Sequence, residues 1–269
     1  MKHDLQQERD KTMRLAQRCL AEVLKELARR CGGAALEERG LLLVAGNHPC
    51  PVLVNSVLRT GPMDAHEVLR RAAVFFAERG HSYEIWTRTG VDDDLENAAM
   101  AVGMRFSAEL TGMVIHRNPE LPECHAGVEL RRVQDIRGVR DFTNVAADAF
   151  LGEGPGISEL VRATFSDSRS LLADDTAAFV VWDHGEPAAA AMTMVKEGVA
   201  WIGWVATRIE FRGRGLGRLS TAAATRAGFA LGARFASLEA TKMGAPVYLR
   251  LGFHKIMNYR NYWPADLQV

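Results

Sequence analysis

From Val205 to Arg218 the chain reads Val205-Ala206-Thr207-Arg208-Ile209-Glu210-Phe211-Arg212-Gly213-Arg214-Gly215-Leu216-Gly217-Arg218. An apolar, strand-like run enters a loop with three alternating glycines, and an Ala-rich helical pattern leaves it. Glycine lets backbone N–H groups turn toward a ligand and approach it without a Cβ in the way. The first turn of a helix has N–H donors without intrahelical partners and the positive end of the helix dipole, so an anionic phosphate is favoured there. Arg212, Arg214 and Arg218 add charge-assisted donors for phosphate oxygens. The helix face of Leu219, Ala223, Ala227 and Ala230 is small, which would let the helix and its loop sit close to a sheet. A Rossmann fingerprint would need glycine where Arg218 stands, and a P-loop would need Gly-Lys-Ser/Thr. Three glycines alone also describe an ordinary surface turn with solvated arginines, so the segment that follows decides.

That segment is a strand pattern, Ser237-Leu238-Glu239-Ala240-Thr241, and then Tyr248-Leu249-Arg250-Leu251-Gly252-Phe253. Arg212-x-x-Gly215-x-Gly217, followed at this distance by a tyrosine and Leu-Gly-Phe, resembles the GNAT superfamily of N-acetyltransferases over about Val128–Val269. The resemblance implies the mixed-sheet GNAT acyltransferase fold. It implies that Val205, Ala206 and Thr207 offer their backbone to the pantetheine arm of acetyl-CoA. It also implies that Arg212, Gly213, Arg214, Gly215, Leu216, Gly217 and Arg218 hold the pyrophosphate. Tyr248 matches the tyrosine that protonates the departing thiolate. The chemistry agrees, because a thiol near pKa ~8.5 leaves better when a phenol near ~10 can hydrogen-bond to it. Without Leu251-Gly252-Phe253 behind it, Tyr248 reads as a packing residue.

Three positions depart from the family pattern. Ile209 stands where many members have proline. Thr241 or Lys242 occupies the region of an asparagine often found after the strand. No carboxylate lies in Trp201–Thr207, where some members keep a general base. An amine near pKa ~10 must lose a proton before it attacks; Glu239 is a possible base, through water, and the base is left unassigned. The expectation is an acetyl-CoA-dependent N-acetyltransferase acting on an amine of a small molecule or a peptide N-terminus by direct attack. The alternative, favoured by the missing base, is a non-catalytic acyl-CoA-binding or interaction module.

These residues need a scaffold, and periodicity supplies an α/β (α+β) element order. Leu20, Val23, Leu24 and Leu27 fall at helical spacing in a helix over Leu5–Leu27. Strands follow at Leu41–Ala45 and Val52–Leu58. A helix capped by Asp64 carries Val68, Leu69, Ala72, Phe75 and Phe76, and a strand spans Tyr83–Thr87. Asp92-Asp93-Asp94 reads as a helix start, and a strand near Met104–His116 closes this part. The second part runs strand (Val128–Val133), helix (Asp135–Phe150), turn (Gly152–Gly156) and helix (Ile157–Phe165). Strands at Ala177–Trp182, Ala188–Val195 and Val199–Thr207 lead into the glycine loop. A helix (Gly217–Leu231), a strand (Phe235–Thr241), a short helix (Ala245–Leu251) and a strand (Phe253–Tyr262) complete it.

The two parts echo each other: Ala65–Thr87 and Leu219–Thr241 both read helix, glycine, then a strand ending in threonine. Where the first part should have its phosphate loop it has Arg59-Thr60-Gly61-Pro62-Met63-Asp64. One glycine, a proline without an N–H and an acid aimed at the helix N-terminus suit a capped helix and not a pyrophosphate site. The reading is therefore two tandem GNAT-like halves. Residues 1–117 form a degenerate domain, 118–127 a linker with Pro119 and Pro122, and 128–269 the acetyltransferase domain.

Composition narrows the rest. With 33 basic and 33 acidic residues among 269, net charge is zero, and no wide basic field exists for nucleic acid. Cys19, Cys31, Cys50 and Cys124 show no C-x-x-C spacing, which points to free thiols in a reducing compartment. The histidines show no metal-ligand spacing, so no metal is expected. The polar first ten residues lack the apolar core of a signal peptide, and no apolar run is long enough to span a membrane. A cytoplasmic protein is expected. Phe75, Phe76, Trp201 and Trp204 are read as core.

Overall fold

The computed structural model describes residues 2–151 and 156–265; residues 152–155 of the expected turn at Gly152–Gly156 lie outside them. The elements run α1 (Lys2–Arg30), β1 (Ala34–Glu38), β2 (Leu41–Ala45), β3 (Ser56–Arg59), α2 (Ala65–Ala77), β4 (Glu84–Arg88), α3 (Asp93–Ala101) and β5 (Met104–Ile115). They continue with β6 (Val128–Arg132), α4 (Ile136–Ala149), α5 (Ile157–Thr164), β7 (Thr176–Asp183), β8 (Glu186–Lys196) and β9 (Val199–Thr207). The last are α6 (Leu216–Ala230), β10 (Phe235–Ala240), α7 (Ala245–Leu251) and β11 (His254–Pro264).

The sequence reading held for every helix to within a few residues. Asp64 caps α2 by accepting from the backbone N–H groups of His66 and Glu67, as expected. Asp135 caps α4 through the Gly138 N–H. Two features were missed. The short strand β1 was not foreseen because four of its five residues are exposed and polar patterning hides it. The strand expected over Val52–Leu58 shrinks to Ser56–Arg59, because Leu53 takes a positive φ of 57° that breaks the extended run.

All eleven strands form one sheet in the order β1-β2-β3-β4-β11-β5-β10-β9-β8-β7-β6. Alternation splits each strand between two faces. On one face Leu42, Val44, Met192, Met194, Trp201 and Trp204 pack under α1, α4 and α5. On the other, Leu41, Leu43 and Ile85 meet α2 and α3, and Ile202, Leu238 and Ala240 meet α6 and α7. The halves repeat one plan. In each, a strand, a helix and a parallel strand (β3-α2-β4 and β9-α6-β10) precede a short helix and a long strand. The two long strands are exchanged: β11 lies beside β4 of the first half and β5 beside β10 of the second.

The α6 face differs from the expected stripe. Leu219 and Ala223 are buried, but Ala230 is exposed, and Ser220, Thr221, Ala222, Ala224, Thr225 and Gly228 complete the buried side. The small-residue principle still holds: a Cβ on Gly228 would stand 2.3 Å from that of Ala200, so only glycine permits this approach to β9.

Candidate active site

The site forms where β9 and β10 part. These parallel strands pair over three residues only, Val199–Trp201 against Phe235–Ser237. Beyond them β9 runs to Thr207 and β10 to Ala240 without pairing to each other, which leaves a V-shaped opening through the sheet. A bulge sharpens the departure. Met192 faces Gly203 and Ala190 faces Ala206, so Trp204 and Val205 together oppose Ala191. Trp204 has a φ of 51°, a strained conformation for a bulky side chain.

At the mouth of the V, the loop after β9 enters α6. Gly213 and Gly215 take φ of 80° and 82°, and a Cβ at either would point into open space. These glycines are therefore required by backbone conformation rather than by crowding from the protein. The backbone N–H groups from Gly213 through Arg218 make no hydrogen bond to the described residues, and the first helical bond runs from Leu219 N–H to the Gly215 carbonyl. Consecutive unpaired donors at a helix N-terminus form an anion cradle. The Arg218 Nε is buried without a partner beside it.

The other two arginines are turned to the protein. Arg212 donates to the carbonyls of Thr207 (3.2 Å) and Ala149 (3.1 Å). Arg214 binds the buried Asp183 carboxylate at 2.8 Å and the Glu210 carbonyl at 3.0 Å. Both brace the loop, whereas the backbone donors and the Arg218 Nε have no partner among the described residues.

The V is flanked by different chemistry on its two faces. On the α6–α7 side lies Tyr248, nine-tenths buried and packed with Ile202, Leu238 and Phe253. Burial pushes its phenol up, and no hydrogen bond to a described residue engages the hydroxyl. On the α1 side, Glu239 accepts a 2.8 Å hydrogen bond from Trp201 Nε1 through Oε2, and Oε1 has no hydrogen-bond partner among the described residues. Burial raises the Glu239 carboxyl to about 7, against the lowering effect of the indole bond. The sequence alone offers Glu239 as a possible base, through water, without assigning it. Its burial against Trp201 was invisible there, because the two residues come from strands 38 positions apart.

Among the described residues the first half has no such cradle at the matching helix. Asp64 occupies the α2 N-terminus. Arg59 is committed to Asp92 (2.7 Å) and Asp94 (2.6 Å), which explains why Asp92 is buried instead of capping α3. A groove of about 780 Å³ lies elsewhere on this half, along α3, and its buried Glu96 is satisfied by Thr87, Arg260 and Tyr262.

One expectation about histidines is corrected. His125, remote in the chain from the adjacent Asp183 and His184, comes together with them at the start of β6 and the β7–β8 turn. His184 Nδ1 lies 2.8 Å and His125 Nε2 3.7 Å from Asp183 Oδ1, while Arg214 holds Oδ2. His184 and Arg214 keep the Asp183 carboxyl below its usual range. The cluster ties the connector before β6 to the glycine loop. All four cysteines are free thiols, and among the described residues no helix is long and apolar enough to cross a membrane.

The site thus combines a sheet splayed at a β-bulge with an anion cradle at the next helix. Residues 141–253, which contain the bulge, cradle, Glu239 and Tyr248, match the family described as Acetyltransferase (GNAT) family. Members of that family are acyltransferases. Among solved structures the chain is similar to a GCN5-related N-acetyltransferase from Kribbella flavida (19% identity, 91% of this chain and 95% of that one, TM-score 0.68). It is also similar to a GCN5-related N-acetyltransferase from Sphaerobacter thermophilus (18%, 86% and 75%, TM-score 0.61). A third similar structure is a tandem GNAT protein from the clavulanic acid biosynthesis pathway (13%, 86% and 78%, TM-score 0.56). At these identities the likeness is one of fold. No curated protein matches the sequence.

Proposed function

We propose that the chain transfers an acetyl group from acetyl-CoA to an amine by direct attack. The observation that carries this reading is the opening between β9 and β10, with six unpartnered backbone donors at its mouth. The donor set fits acetyl-CoA: N–H groups of residues 213–218 and Arg218 for the pyrophosphate, and the unpaired edge of Val205, Ala206 and Thr207 for the pantetheine amides. When bound, the cosubstrate supplies a thioester carbonyl and a thiol leaving group.

The chain's own residues then divide the proton work by face. Glu239, with its carboxyl near 7 and a free Oε1, accepts a proton from the amine on the α1 side, directly or through one water. Tyr248, on the other face, donates a hydrogen bond to the departing sulfur. Its raised pKa keeps the phenol protonated and makes stabilisation by hydrogen bonding the larger part of its role. Backbone N–H groups exposed at the bulge stabilise the oxyanion.

Titration calorimetry with acetyl-CoA, followed by thiol-release assays on small amines, aminoglycosides and peptide N-termini, tests the reading. Transfer to any amine class supports it. Acetyl-CoA binding without transfer across the panel would favour the non-catalytic acyl-CoA-binding module, and absence of binding would remove both.

A further inference from the structure

Trp204 stands out on the α1 face of the opening. The residue is only 5% exposed, and its indole Nε1–H has no hydrogen-bond partner among the described residues. Leaving a buried donor unpaired is costly, on the order of 1–3 kcal/mol. The cost is added to that of a positive φ at the same residue. Two unfavourable features on one residue, at the bulge where β9 leaves β10, suit a group held ready for a ligand. Ser237 Oγ, two residues before Glu239 on the same strand face, is likewise buried and unpaired.

Resting on the acetyltransferase reading, we propose that the acceptor is an amine that also carries a neutral carbonyl oxygen, received by Trp204 Nε1 while Glu239 takes the amine proton. That pairing occurs in α-amino amides and at peptide N-termini. The oxygen is neutral because of the surroundings. The Trp204 ring is walled edge-on by Phe165 (5.1 Å) and Phe150 (6.4 Å). Of the basic groups flanking the end of β9, Arg208 is paired with Glu210 at 2.7 Å, with its Nε making no hydrogen bond, and Arg212 donates to two carbonyls. A carboxylate brought into this apolar wall would lie unpaired, whereas a carbonyl needs only the one donor.

The test compares phenylalaninamide, free phenylalanine, phenethylamine and the tripeptide Phe-Ala-Ala as acceptors for the full chain and for Trp204→Phe. Phenylalaninamide is expected to exceed phenethylamine and phenylalanine by at least ~10-fold in kcat/KM. In Trp204→Phe the ring still fills the wall and the preference over phenethylamine should vanish. A tripeptide as good as the amide points to peptide N-termini, and a poorer one to small amino amides. In parallel, the Trp204 indole N–H resonance of ¹⁵N-tryptophan-labelled protein, identified by its loss in Trp204→Phe, should move on titration with phenylalaninamide. Equal use of amide and amine, a preference retained in Trp204→Phe, or an indole resonance that answers to none of the probes would each overturn the proposal. Calorimetry with acetyl-CoA alone separates this from failure of the parent reading, which predicts cofactor binding whatever the acceptor.

Discussion

Glu239→Gln isolates the base. The substitution keeps an oxygen for Trp201 Nε1 and nearly the same volume, so the strand and its neighbours should be retained. With the carboxyl at about 7 instead of its ordinary 4.5, about half the molecules hold the base form at pH 7. The kcat/KM for acetyl transfer should therefore rise with pH through a limb near 7. In Glu239→Gln this limb should disappear and kcat should fall by ~10²–10⁴-fold, the usual range for a lost general base. Stability carries an independent signature. The folded carboxyl binds its proton more tightly than the unfolded chain does. Its stabilising contribution is thus present below about pH 4.5 and is lost as pH rises through about 7. At about 1.4 kcal/mol per pH unit the difference is at most roughly 3 kcal/mol, and the partial exposure of Glu239 reduces it. Denaturant melts from pH 5 to 8 should show the wild-type chain losing stability relative to Glu239→Gln. A variant with the wild-type rate and an intact limb near 7 would refute Glu239 as the base, whatever the melts show.

Three further outcomes follow from the same geometry. Gly215→Val forces a β-branched residue to a φ of 82° and should abolish acetyl-CoA binding by calorimetry while circular dichroism shows a folded chain; unchanged affinity would remove the loop from the site. Tyr248→Phe should lower kcat by up to ~10²-fold and leave acetyl-CoA affinity nearly unchanged, since the hydroxyl makes no internal bond; full activity would return the residue to packing. Native mass spectrometry should find one acetyl-CoA per chain, because Asp64 fills the α2 N-terminus; two per chain would contradict the reading of that helix end.

The loop was legible in sequence because its requirements are local: positive φ at Gly213 and Gly215 and the start of α6. The poor fit of the first half was legible for the same reason, in Pro62 and Asp64. What stayed hidden depended on tertiary meeting. The contacts of Arg212 and Arg214, read as phosphate ligands, with Ala149 and Asp183 could not be foreseen because those partners are remote in the chain. The environment of Glu239 is created by Trp201 across the β9–β10 contact and by desolvation beneath α1. Trp204 was read as core, which its burial bears out. Only coordinates could reveal that its indole N–H is left without a partner there. The histidine cluster escaped because ligand-spacing rules look along the chain, whereas His125 reaches Asp183 and His184 across a sheet edge.

The exchange of β5 and β11 bears on how the chain acquires its structure. Asn261 of β11 donates to the buried Glu84 across a separation of 177 residues, so the first half cannot finish its own core during early synthesis. Until β11 arrives, β4 presents an unpaired edge and Glu84 lacks one of its donors. Such non-local closure slows folding, because loop entropy is lost before the contact that compensates it can form. Exposed strand edges in that interval invite association between nascent chains. A division between the halves would leave each without the strand that completes its sheet, and the same exchange makes the half with the glycine loop mature only together with the other.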